Sequence, residues 1–581
     1  ITAFTFAVAI AIGITPLLLP VILSSSLSKG AVRMSKKKTI VKKLDSIQNF
    51  GAMNILCTDK TGTLTEDKIV LEKYLNIKGE EDLRVLKHAF LNAFFQTGLK
   101  GNIDEAVIKR GIENGLGNFR ETYKKVDEIP FDFARRRLSV IVSNGSKKQM
   151  ITKGAVEEIL NICTLVDNDG QVEPITKSIK DNIRKISRKL NEDGLRVVAV
   201  CQKNDILQNE TFDVSDEKNM VLLGFIGFLD PPKESAKESI KKLNQVGIRV
   251  IVLTGDNAEV TKCICSKVGI NSNKIVLGTQ LDKLSDTAVL RLLKKTNIFA
   301  KLSPIQKARI VRLLKDAGNI VGYMGDGIND SPSLTNSDVG ISVDTAVDIA
   351  KESADIILLE KDLNVLLDGV SEGRRTFVNL MKYIKLATSF NFGEVMSVII
   401  ASALLPFLPE TPIQLLVEGL LYDFGQMTLP FDHVDKEDLQ KPKKLDIKSL
   451  KHFMFFWGPL SSCFDMVVFA FLWFFFNIRE AALFQTIWFS YSIVSNLVGM
   501  HIIRTAKLPF IQSNAHKAVY IYSISLIIIG LLVPFTGLGA MIGLVPMQFS
   551  DIVLIFGVTF LYCIVAILAK KVYLKKYKEW I

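Results

Sequence analysis

The chain has 581 residues, of which 48% are hydrophobic, and its mean hydropathy is +0.26. It is too long for one compact domain and too apolar for an ordinary soluble protein, so part of it is expected to lie in a membrane. The formal net charge is +12, but the basic residues gather beside apolar segments, which favours an anionic membrane surface over nucleic acid as the partner.

The first 27 residues form an apolar segment that contains two prolines, Pro16 and Pro20. The segment has neither an initiating Met nor a signal-peptide charge pattern, so we expect a fragment whose upstream spans are absent. The prolines remove helix hydrogen bonds and leave carbonyls that a bilayer tolerates only where they face protein, water or an ion. A simple proline kink is the alternative interpretation. Because discontinuous helices often form ion sites, we expect transported-ion ligands at Thr15, Pro16 and Leu17.

A short apolar run after Asn54 ends in Asp59 and is followed by small and hydroxylated residues. This pattern predicts a buried parallel strand that places Asp59 like a nucleophile before a phosphate-binding turn. Two later apolar runs end in the same way, at Thr254-Gly255-Asp256 and at Gly325 to Asp330. In a doubly wound sheet, the loops at the carboxyl ends of neighbouring strands share one crevice. The three loops are therefore expected to converge on one phosphoryl group.

The residue types in these loops suit phosphoryl transfer. A carboxylate that attacks the terminal phosphate of ATP needs a cation, and Asp326 and Asp330 offer hard oxygen ligands for Mg²⁺, which Asp59 would also touch. Lys307 follows another strand-like run and can present a compact positive charge to the phosphoryl oxygens. Those oxygens are expected to be held in place by Thr254 and the Gly255 amide.

Between residues 66 and 223 the chain makes a polar excursion that is large enough to be a domain of its own, and this domain is expected to carry the nucleotide. Phe131 to Arg137 offers an aromatic face for adenine and guanidinium groups for phosphates, and Lys153 precedes a close-approach glycine, Gly154. An isolated arginine triplet is more often a solvated surface, which is the alternative for Arg135 and its neighbours.

Long apolar segments resume after residue 374 and predict six membrane spans, at 377–407, 413–431, 453–476, 481–503, 519–538 and 549–569. The distribution of Lys and Arg in their flanks places the soluble domains and the carboxyl terminus on the cytoplasmic side. Ionisable groups inside spans are costly and need a reason. We expect the transported cation to be bound among Asn391, Glu394, Glu418 and Asp423.

The ordered set Asp59-Lys60-Thr61-Gly62-Thr63-Leu64-Thr65, Thr254-Gly255-Asp256, Pro304-x-x-Lys307 and Gly325-Asp326-Gly327-x-Asn329-Asp330 resembles the P-type ion-pumping ATPases, whose phosphorylated core is haloacid-dehalogenase-like. The resemblance implies that Asp59 is phosphorylated, that Lys60 and Thr61 complete its loop, and that Thr61 joins the aspartates at the catalytic Mg²⁺. Hydrolytic relatives carry a second Asp where Thr61 stands, so the aspartyl phosphate is expected to persist until another part of the protein activates water. In P-type pumps that part is a Thr-Gly-Glu-Ser loop on an actuator domain, and this sequence contains no such loop.

The resemblance also assigns roles in the nucleotide domain. It implies that Phe133 stacks on the base, that Lys153 lines its pocket, and that Arg135 and Arg196 reach the phosphates. Two further acidic positions match nucleotide-binding or hinge positions of the family, Asp104 and Asp230.

Leu44 to Met53, Pro130 to Phe133, and the stretches 420–423 and 429–432 are similar to the bacterial magnesium-translocating subgroup. Two positions depart from that subgroup, which usually has Glu at residue 17 and Asn at residue 394. Our hypothesis is that negative charge has moved within one site, from residue 17 to Glu394, so that a divalent cation is still bound.

The expected fold is a multidomain α/β and membrane-helical protein. It comprises a doubly wound, haloacid-dehalogenase-like phosphorylation domain, an inserted α+β nucleotide-binding domain and a transmembrane helix bundle. The expected boundaries are 1–28 for the first span, 29–65 and 224–373 for the phosphorylation domain, 66–223 for the nucleotide domain and 374–581 for the six further spans.

The expected function is ATP-driven cation transport through an aspartyl phosphate by a multi-pass protein of the plasma (inner) membrane. By resemblance it is Mg²⁺ import, with ATP as substrate and a catalytic Mg²⁺. A pump for Ca²⁺ or another divalent cation is the nearest alternative. A membrane-tethered phosphatase or a non-pumping sensor is the alternative from another class.

Overall fold

The computed structural model describes residues 18–580 except 61, 67, 98–100, 133, 146, 205 and 207–210. Within these residues the chain forms two eight-stranded sheets and a group of long apolar helices. The fold is therefore two soluble α/β units joined to a helical membrane part, as the sequence predicts.

The first sheet is parallel except at one edge, where Thr39–Val41 pairs antiparallel with Ile356–Leu358. Its central strands are continuous apolar runs that are fully buried, as expected for a sheet covered by helices on both faces. In spatial order the strands are Thr39–Val41, Ile356–Leu358, Val339–Val343, Val321–Met324, Ile55–Thr58, Arg249–Leu253, Ile298–Ala300 and Ile275–Leu277.

Helices that alternate with these strands pack on the sheet and close its core. They are Ser46–Ala52, Glu234–Gln245, Ala258–Lys267, Gly278–Leu281, Asp286–Leu293, Pro304–Asp316, Ser331–Asn336 and Asp348–Ser353.

The second sheet belongs to the inserted domain and is largely antiparallel. Its strands in spatial order are Lys124–Asp132, Arg137–Asn144, Lys147–Gly154, Leu195–Asn204, Met220–Leu229, Cys163–Asn168 and Gln171–Pro174, with Val70–Asn76 also paired to Met220–Leu229. Its helices are Leu83–Phe95, Asn102–Glu113, Phe119–Thr122, Val156–Ile162 and Lys177–Glu192.

This sheet corrects the predicted end of the inserted domain. The boundary expected after residue 223 falls inside the strand Met220–Leu229. That strand is hydrogen-bonded along its length to two strands of the insert, Val70–Asn76 and Leu195–Asn204. The inserted domain therefore extends to Leu229, and the return to the first sheet begins at Asp230.

Among the described residues, five helices are long and apolar enough to cross a membrane. They coincide with five of the predicted spans and are Leu363–Leu404, Ile447–Phe475, Ala481–Ile503, Lys517–Phe535 and Phe549–Tyr577. The last turns of Ile447–Phe475 are a π-helix, Phe471–Phe475, and the short helix Gly537–Met541 lies between the final two spans.

The predicted span 413–431 is shorter in the structure. Its helix is Pro412–Gln426, and a tight turn at Leu429–Phe431 containing Pro430 follows it. A helix of 15 residues is about 22 Å long, less than the roughly 30 Å of a bilayer's hydrocarbon core.

The helix Leu363–Leu404, which we call the stalk helix, runs without interruption for 42 residues from the phosphorylation domain into the membrane part. The boundary predicted after residue 373 lies inside it, and the boundary predicted after residue 28 lies inside the helix Leu19–Ser35. Both helices therefore belong to the soluble and membrane parts together. The stalk helix packs against Ile447–Ala470 and Leu19–Ser35 in the bundle, and against Ser46–Ala52 beside the first sheet.

Candidate phosphorylation site and ion-binding groups

The strand Ile55–Thr58, which we call the catalytic strand, lies between two parallel strands. Thr58 is level with Val252 on one side and with Met324 on the other. The loops that follow the three strands therefore begin at the same edge of the sheet. This register confirms the predicted convergence of the Asp59, Thr254 and Asp326 loops.

Asp59 forms an ion pair with Lys307. The Lys307 ammonium lies 2.7 Å from Asp59 Oδ2 and 2.9 Å from Asp330 Oδ1. Ser303 caps the helix Pro304–Asp316 by accepting a hydrogen bond from the Gln306 amide, so Lys307 stands on a fixed first turn. Burial acts to lower the pKa of Lys307, but the charges of Asp59 and Asp330 outweigh it and raise that pKa. Lys307 is therefore a charged group between two carboxylates.

Asp59 itself is largely enclosed, with 20% of its side chain exposed. Its Oδ1 atom accepts a hydrogen bond of 2.6 Å from the Lys60 amide. Burial raises the pKa of Asp59, while the Lys307 charge opposes that rise. The remaining exposed edge of the carboxylate is the part that a phosphoryl group can reach.

Lys60 links three segments of the site. Its ammonium lies 3.0 Å from Asp230 Oδ2 and 2.9 Å from Asp256 Oδ2, and the residue is 2% exposed. Burial acts to lower the pKa of Lys60, but Asp256 and Asp230 together raise it. Lys60 thus fixes the loop after the catalytic strand against the Thr254-Gly255-Asp256 loop and against Asp230, the first residue after the inserted domain.

Asp330 is positioned by several donors. Its Oδ1 atom accepts a hydrogen bond of 2.6 Å from the Tyr323 hydroxyl, and its Oδ2 atom accepts one of 3.3 Å from the Gly327 amide. A Cβ at Gly325 would lie 2.6 Å from the Asp330 Cβ. Glycine at residue 325 is therefore required for this carboxylate to approach the end of its strand.

Asp326 pairs with Lys361, a residue that the sequence analysis did not single out. Lys361 lies two residues before the stalk helix and also approaches the loop after Asp59, where a Cβ at Gly62 would meet its ammonium at 2.0 Å. Its position after the strand Ile356–Leu358 gave no signal of this role, because that strand is three positions away from the catalytic strand in the sheet. The ion pair ties the start of the stalk helix to the predicted Mg²⁺ ligand.

The carboxylates of Asp59, Asp326 and Asp330 fit a bound Mg²⁺. They are hard oxygen ligands, and the Lys307 ammonium that contacts both Asp59 Oδ2 and Asp330 Oδ1 brings these two carboxylates close together. The Asp326 side chain is 30% exposed and already lies against a cation, the Lys361 ammonium. Thr61, the fourth predicted ligand, lies outside the described residues.

Thr254 and Gly255 directly follow the strand Arg249–Leu253, and Thr254 is buried. The Thr254 hydroxyl accepts a hydrogen bond of 3.2 Å from the Asp256 amide, and its own amide donates to the Phe299 carbonyl at 3.0 Å. A Cβ at Gly255 would meet only the Leu302 carbonyl oxygen, at 3.5 Å. Their contacts with phosphoryl oxygens stay predictions.

In the inserted domain, Lys153 forms an ion pair with Asp104, and both residues are buried. The two predicted nucleotide-site residues are thus brought together by the sheet and the helix Asn102–Glu113. A Cβ at Gly154 would lie 2.6 Å from the Arg137 Cβ, which explains the glycine by the close approach of neighbouring strands.

Arg135 is bound inside the domain by Glu217, which the sequence analysis missed. Its guanidinium lies 2.8 Å from Glu217 Oε2, and Arg137 lies 2.6 Å from the same oxygen. Glu217 is 3% exposed and is preceded by a polar loop, so nothing in the sequence marked it as a buried partner. Arg196 is exposed on the strand Leu195–Asn204, and Phe133 lies outside the described residues.

The predicted transported-ion ligands are only partly grouped. Glu394 and Glu418 lie in one cluster, and Glu410, which was not predicted, completes it, with one carboxylate oxygen of each within 4.8 Å of the others. Asp423 accepts a backbone hydrogen bond from Leu18, which places it beside the helix Leu19–Ser35. Asn391 is half-buried three residues before Glu394 on the stalk helix, and residues 15–17 lie outside the described residues.

The stalk helix is joined to the phosphorylation domain by Arg374. Its guanidinium donates to the carbonyls of Gly51, Leu439 and Val246 at 3.1, 2.8 and 2.9 Å. Gly51 and Val246 belong to the phosphorylation domain, and Leu439 belongs to the loop between two membrane-part helices. Arg374 therefore joins the stalk helix to the phosphorylation domain and to the loop that contains Leu439.

An acidic loop at the carboxyl edge of a doubly wound sheet, with an inserted domain and a group of membrane-length helices, defines a membrane protein with a haloacid-dehalogenase-like core. Two family models match the chain, "P-type ATPase, cytoplasmic domain N" over residues 89–235 and "Cation transporting ATPase, C-terminus" over residues 407–572. The chain belongs to the P-type ATPase family.

Named relatives place it beside one branch of that family. The chain is 46% identical to "Magnesium-transporting ATPase, P-type 1" of Escherichia coli K12 over 99% of its own length and 64% of the relative. It is 45% identical to a protein of the same name from Salmonella typhimurium LT2, over 100% of its own length and 65% of the relative. "Calcium-transporting ATPase 1" of Bacillus cereus is 31% identical over 76% of the chain and 52% of the relative. The chain thus spans less than two thirds of the length of these relatives.

Proposed function

We propose that the protein to which this chain belongs imports Mg²⁺ across the plasma membrane at the expense of ATP, through an aspartyl phosphate on Asp59. The observation that carries the proposal is the contact of the Asp59 carboxylate with the Lys307 ammonium, in a crevice shared with Asp326 and Asp330. The names of the relatives that are 45–46% identical support Mg²⁺ over Ca²⁺ as the cargo.

In this proposal, Asp59 Oδ attacks the terminal phosphorus of ATP, and the bond to the bridging oxygen of ADP breaks. Lys307 offsets the negative charge that gathers as the phosphoryl group approaches the carboxylate. Mg²⁺ at Asp326 and Asp330 would add charge neutralisation and orient the phosphoryl oxygens. Lys60 keeps the Asp59 loop rigid through Asp230 and Asp256, so the nucleophile does not have to be ordered during the reaction.

The nucleotide is proposed to lie on the inserted domain, beside the buried pair of Lys153 and Asp104. The ion pair neutralises Lys153 without removing its ammonium donors, so a nucleotide group can take the place of the carboxylate. Arg135 is held by Glu217 and would have to exchange that partner for a phosphate to fill its predicted role.

Phosphorylation of Asp59 can affect the membrane part through the stalk helix. Lys361 contacts Asp326 just before that helix begins, and Glu394 lies on the same helix, near its other end. A cation released or bound near Glu394 and a phosphoryl group at Asp59 therefore act on one rigid element. This arrangement supports coupled transport over a tethered phosphatase, whose hydrolysis would not need the connection.

Reconstituted transport of the complete protein tests the proposal. In proteoliposomes whose soluble domains face outward, we expect external ATP to lower luminal Mg²⁺, followed by a trapped indicator dye, and we expect Asp59→Asn to abolish this. A fall in luminal Ca²⁺ but not Mg²⁺ would favour the calcium pump. ATP hydrolysis with no movement of either ion would favour the phosphatase or sensor.

A further inference from the structure

Three glutamates converge near the end of the stalk helix that lies away from the phosphorylation domain. One carboxylate oxygen from each of Glu394, Glu410 and Glu418 lies within 4.8 Å of the other two. Glu394 is on the stalk helix, Glu418 is on the helix Pro412–Gln426, and Glu410 is in the loop that joins them. Because the stalk helix starts on the cytoplasmic side and ends at Leu404, that loop lies at the opposite side of the membrane.

The cluster is enclosed and short of hydrogen-bond donors. Glu410 and Glu418 are 0% and 1% exposed. Neither oxygen of Glu418, nor Oε1 of Glu410, accepts a hydrogen bond of normal geometry from the described residues, although the Ser492 hydroxyl lies close to Glu418 and the two carboxyl groups lie close to each other. A buried carboxylate without partners costs several kcal/mol by order of magnitude, so the fold holds these groups at the expense of stability.

No positively charged side chain in the described part of the chain acts on the three glutamates. The charged groups that act on Glu394, Glu410 and Glu418 are each other and two further carboxylates, Asp465 and Asp423. Asp465 is satisfied separately by the hydroxyl of Ser397. The three glutamates therefore face other carboxylates and no positive side chain among the described residues, and a cation from outside the protein can bind to them when they lose their protons.

Glu410 is held in the cluster by an aromatic anchor. The indole Nε1–H of Trp488 donates to Glu410 Oε2 at 3.2 Å, which leaves Oε1 available. The Trp488 ring packs on Phe469, with ring centroids 4.2 Å apart. Glu410 therefore has a fixed position although it lies in a loop. A fixed position is what a metal ligand requires.

We propose that Glu410 is a ligand of a divalent-cation site formed with Glu394 and Glu418 on the extracytoplasmic side of the bundle. Hard oxygens, largely buried and facing no positive side chain among the described residues, suit a small divalent cation such as Mg²⁺. The inference deepens the proposed transport function and rests on it.

The site is the outer end of a series of carboxylates. Asp423 lies five residues after Glu418 on the same helix, which is about 7.5 Å further toward the cytoplasmic side. A cation that enters from outside reaches Glu410 first, then Glu394 and Glu418, and then Asp423 beside Leu18. Glu410 therefore sets the affinity of the first step of import.

The test compares Mg²⁺ binding by the complete protein with binding by the Glu410→Gln variant. Trp488 donates directly to Glu410, so its fluorescence reports on this site, and equilibrium dialysis with Mg²⁺ gives the stoichiometry. We expect Glu410→Gln to lose one bound Mg²⁺, or to bind it at least tenfold more weakly, and to lose the fluorescence change. Glu480→Gln, at the exposed start of the helix Ala481–Ile503, is the matched control and is expected to bind as the parent does.

Phosphorylation of Asp59 by ATP separates this inference from the proposed function. If the parent protein is never labelled at Asp59, the proposed function fails. If Glu410→Gln is labelled normally and binds Mg²⁺ as the parent does, only the Glu410 site fails.

Two milder variants cover the case in which Glu410→Gln does not fold. Trp488→Phe, which removes the anchoring hydrogen bond, should weaken Mg²⁺ binding about threefold, and Glu410→Asp should restore binding at higher Mg²⁺. Unchanged affinity in both would overturn the proposal.

Discussion

The ammonium nitrogen of Lys307 lies 2.7 Å from Asp59 Oδ2, so the proposed nucleophile is in contact with a buried positive charge. The same nitrogen lies 2.9 Å from Asp330 Oδ1. One side chain therefore joins the loop after the catalytic strand to the predicted Mg²⁺ site.

Replacing Lys307 with Met should remove this charge and slow phosphorylation of Asp59 about 10²- to 10³-fold, the range typical for loss of one preorganised electrostatic group. Rapid-quench labelling by ATP measures the rate. Lys315→Met on the same helix is the control, because Lys315 is 32% exposed and pairs with Asp338 away from the site. Labelling of Lys307→Met at the parental rate would show that Lys307 does not act on the phosphoryl group.

Replacing Lys361 with Met should strengthen Mn²⁺ binding at Asp326 about fivefold, because the metal no longer competes with an ammonium. That factor corresponds to about 1 kcal/mol, the upper range for a partly exposed ion pair. Electron paramagnetic resonance of free Mn²⁺ measures the affinity without turnover. The binding site that disappears in Asp326→Asn is the one that contains Asp326. Lys351→Met, which disrupts only the surface pair with Asp348, serves as the control. Weaker Mn²⁺ binding in Lys361→Met would mean that Lys361 supports the metal site instead.

Cys57 should resist alkylation in the folded protein. Burial raises the pKa of its thiol to about 12. At pH 8 a thiol with that pKa is ionised in about one molecule in 10⁴, and only the thiolate reacts. We expect iodoacetamide followed by peptide mass spectrometry to label the partly exposed Cys263 in the native protein and Cys57 only after denaturation. Equal rates of labelling in the native protein would show that the catalytic strand opens readily to solvent.

Arg374→Lys should separate phosphorylation from transport. A lysine keeps the charge but cannot donate at once to the carbonyls of Gly51, Leu439 and Val246, and each such bond from a charged donor is worth about 1.5 to 3 kcal/mol. We expect Asp59 labelling to fall less than threefold while Mg²⁺ transported per ATP falls at least fivefold. Arg375→Lys, on the neighbouring position, should change neither quantity. Parental transport by Arg374→Lys would locate the coupling elsewhere.

Much of the catalytic site could be predicted from sequence because its residues follow apolar strands at fixed positions. Asp59, Thr254 and Asp326 each stand just after a buried run, and parallel pairing then brings them to one edge. Lys361 could not be found in this way. It follows a strand at the far side of the sheet and reaches the site through the length of its own side chain.

The membrane part shows the same limit. Glu394 and Glu418 were predicted because an acidic residue inside an apolar run is conspicuous, whereas Glu410 lies between two prolines, Pro409 and Pro412, and looks like an exposed loop residue. Its burial depends on Trp488, which is 78 residues away in sequence. Contacts of this kind are set by packing between helices and leave no local pattern.

Acid-stable labelling of the complete protein with [γ-³²P]ATP tests the central claim most directly. We expect the label to attach to one peptide, to be located at Asp59 and to be absent from Asp59→Asn, while Asp256→Asn reduces it only by loosening the Lys60 contact. Intact, folded protein that takes up no label at Asp59 would contradict the account.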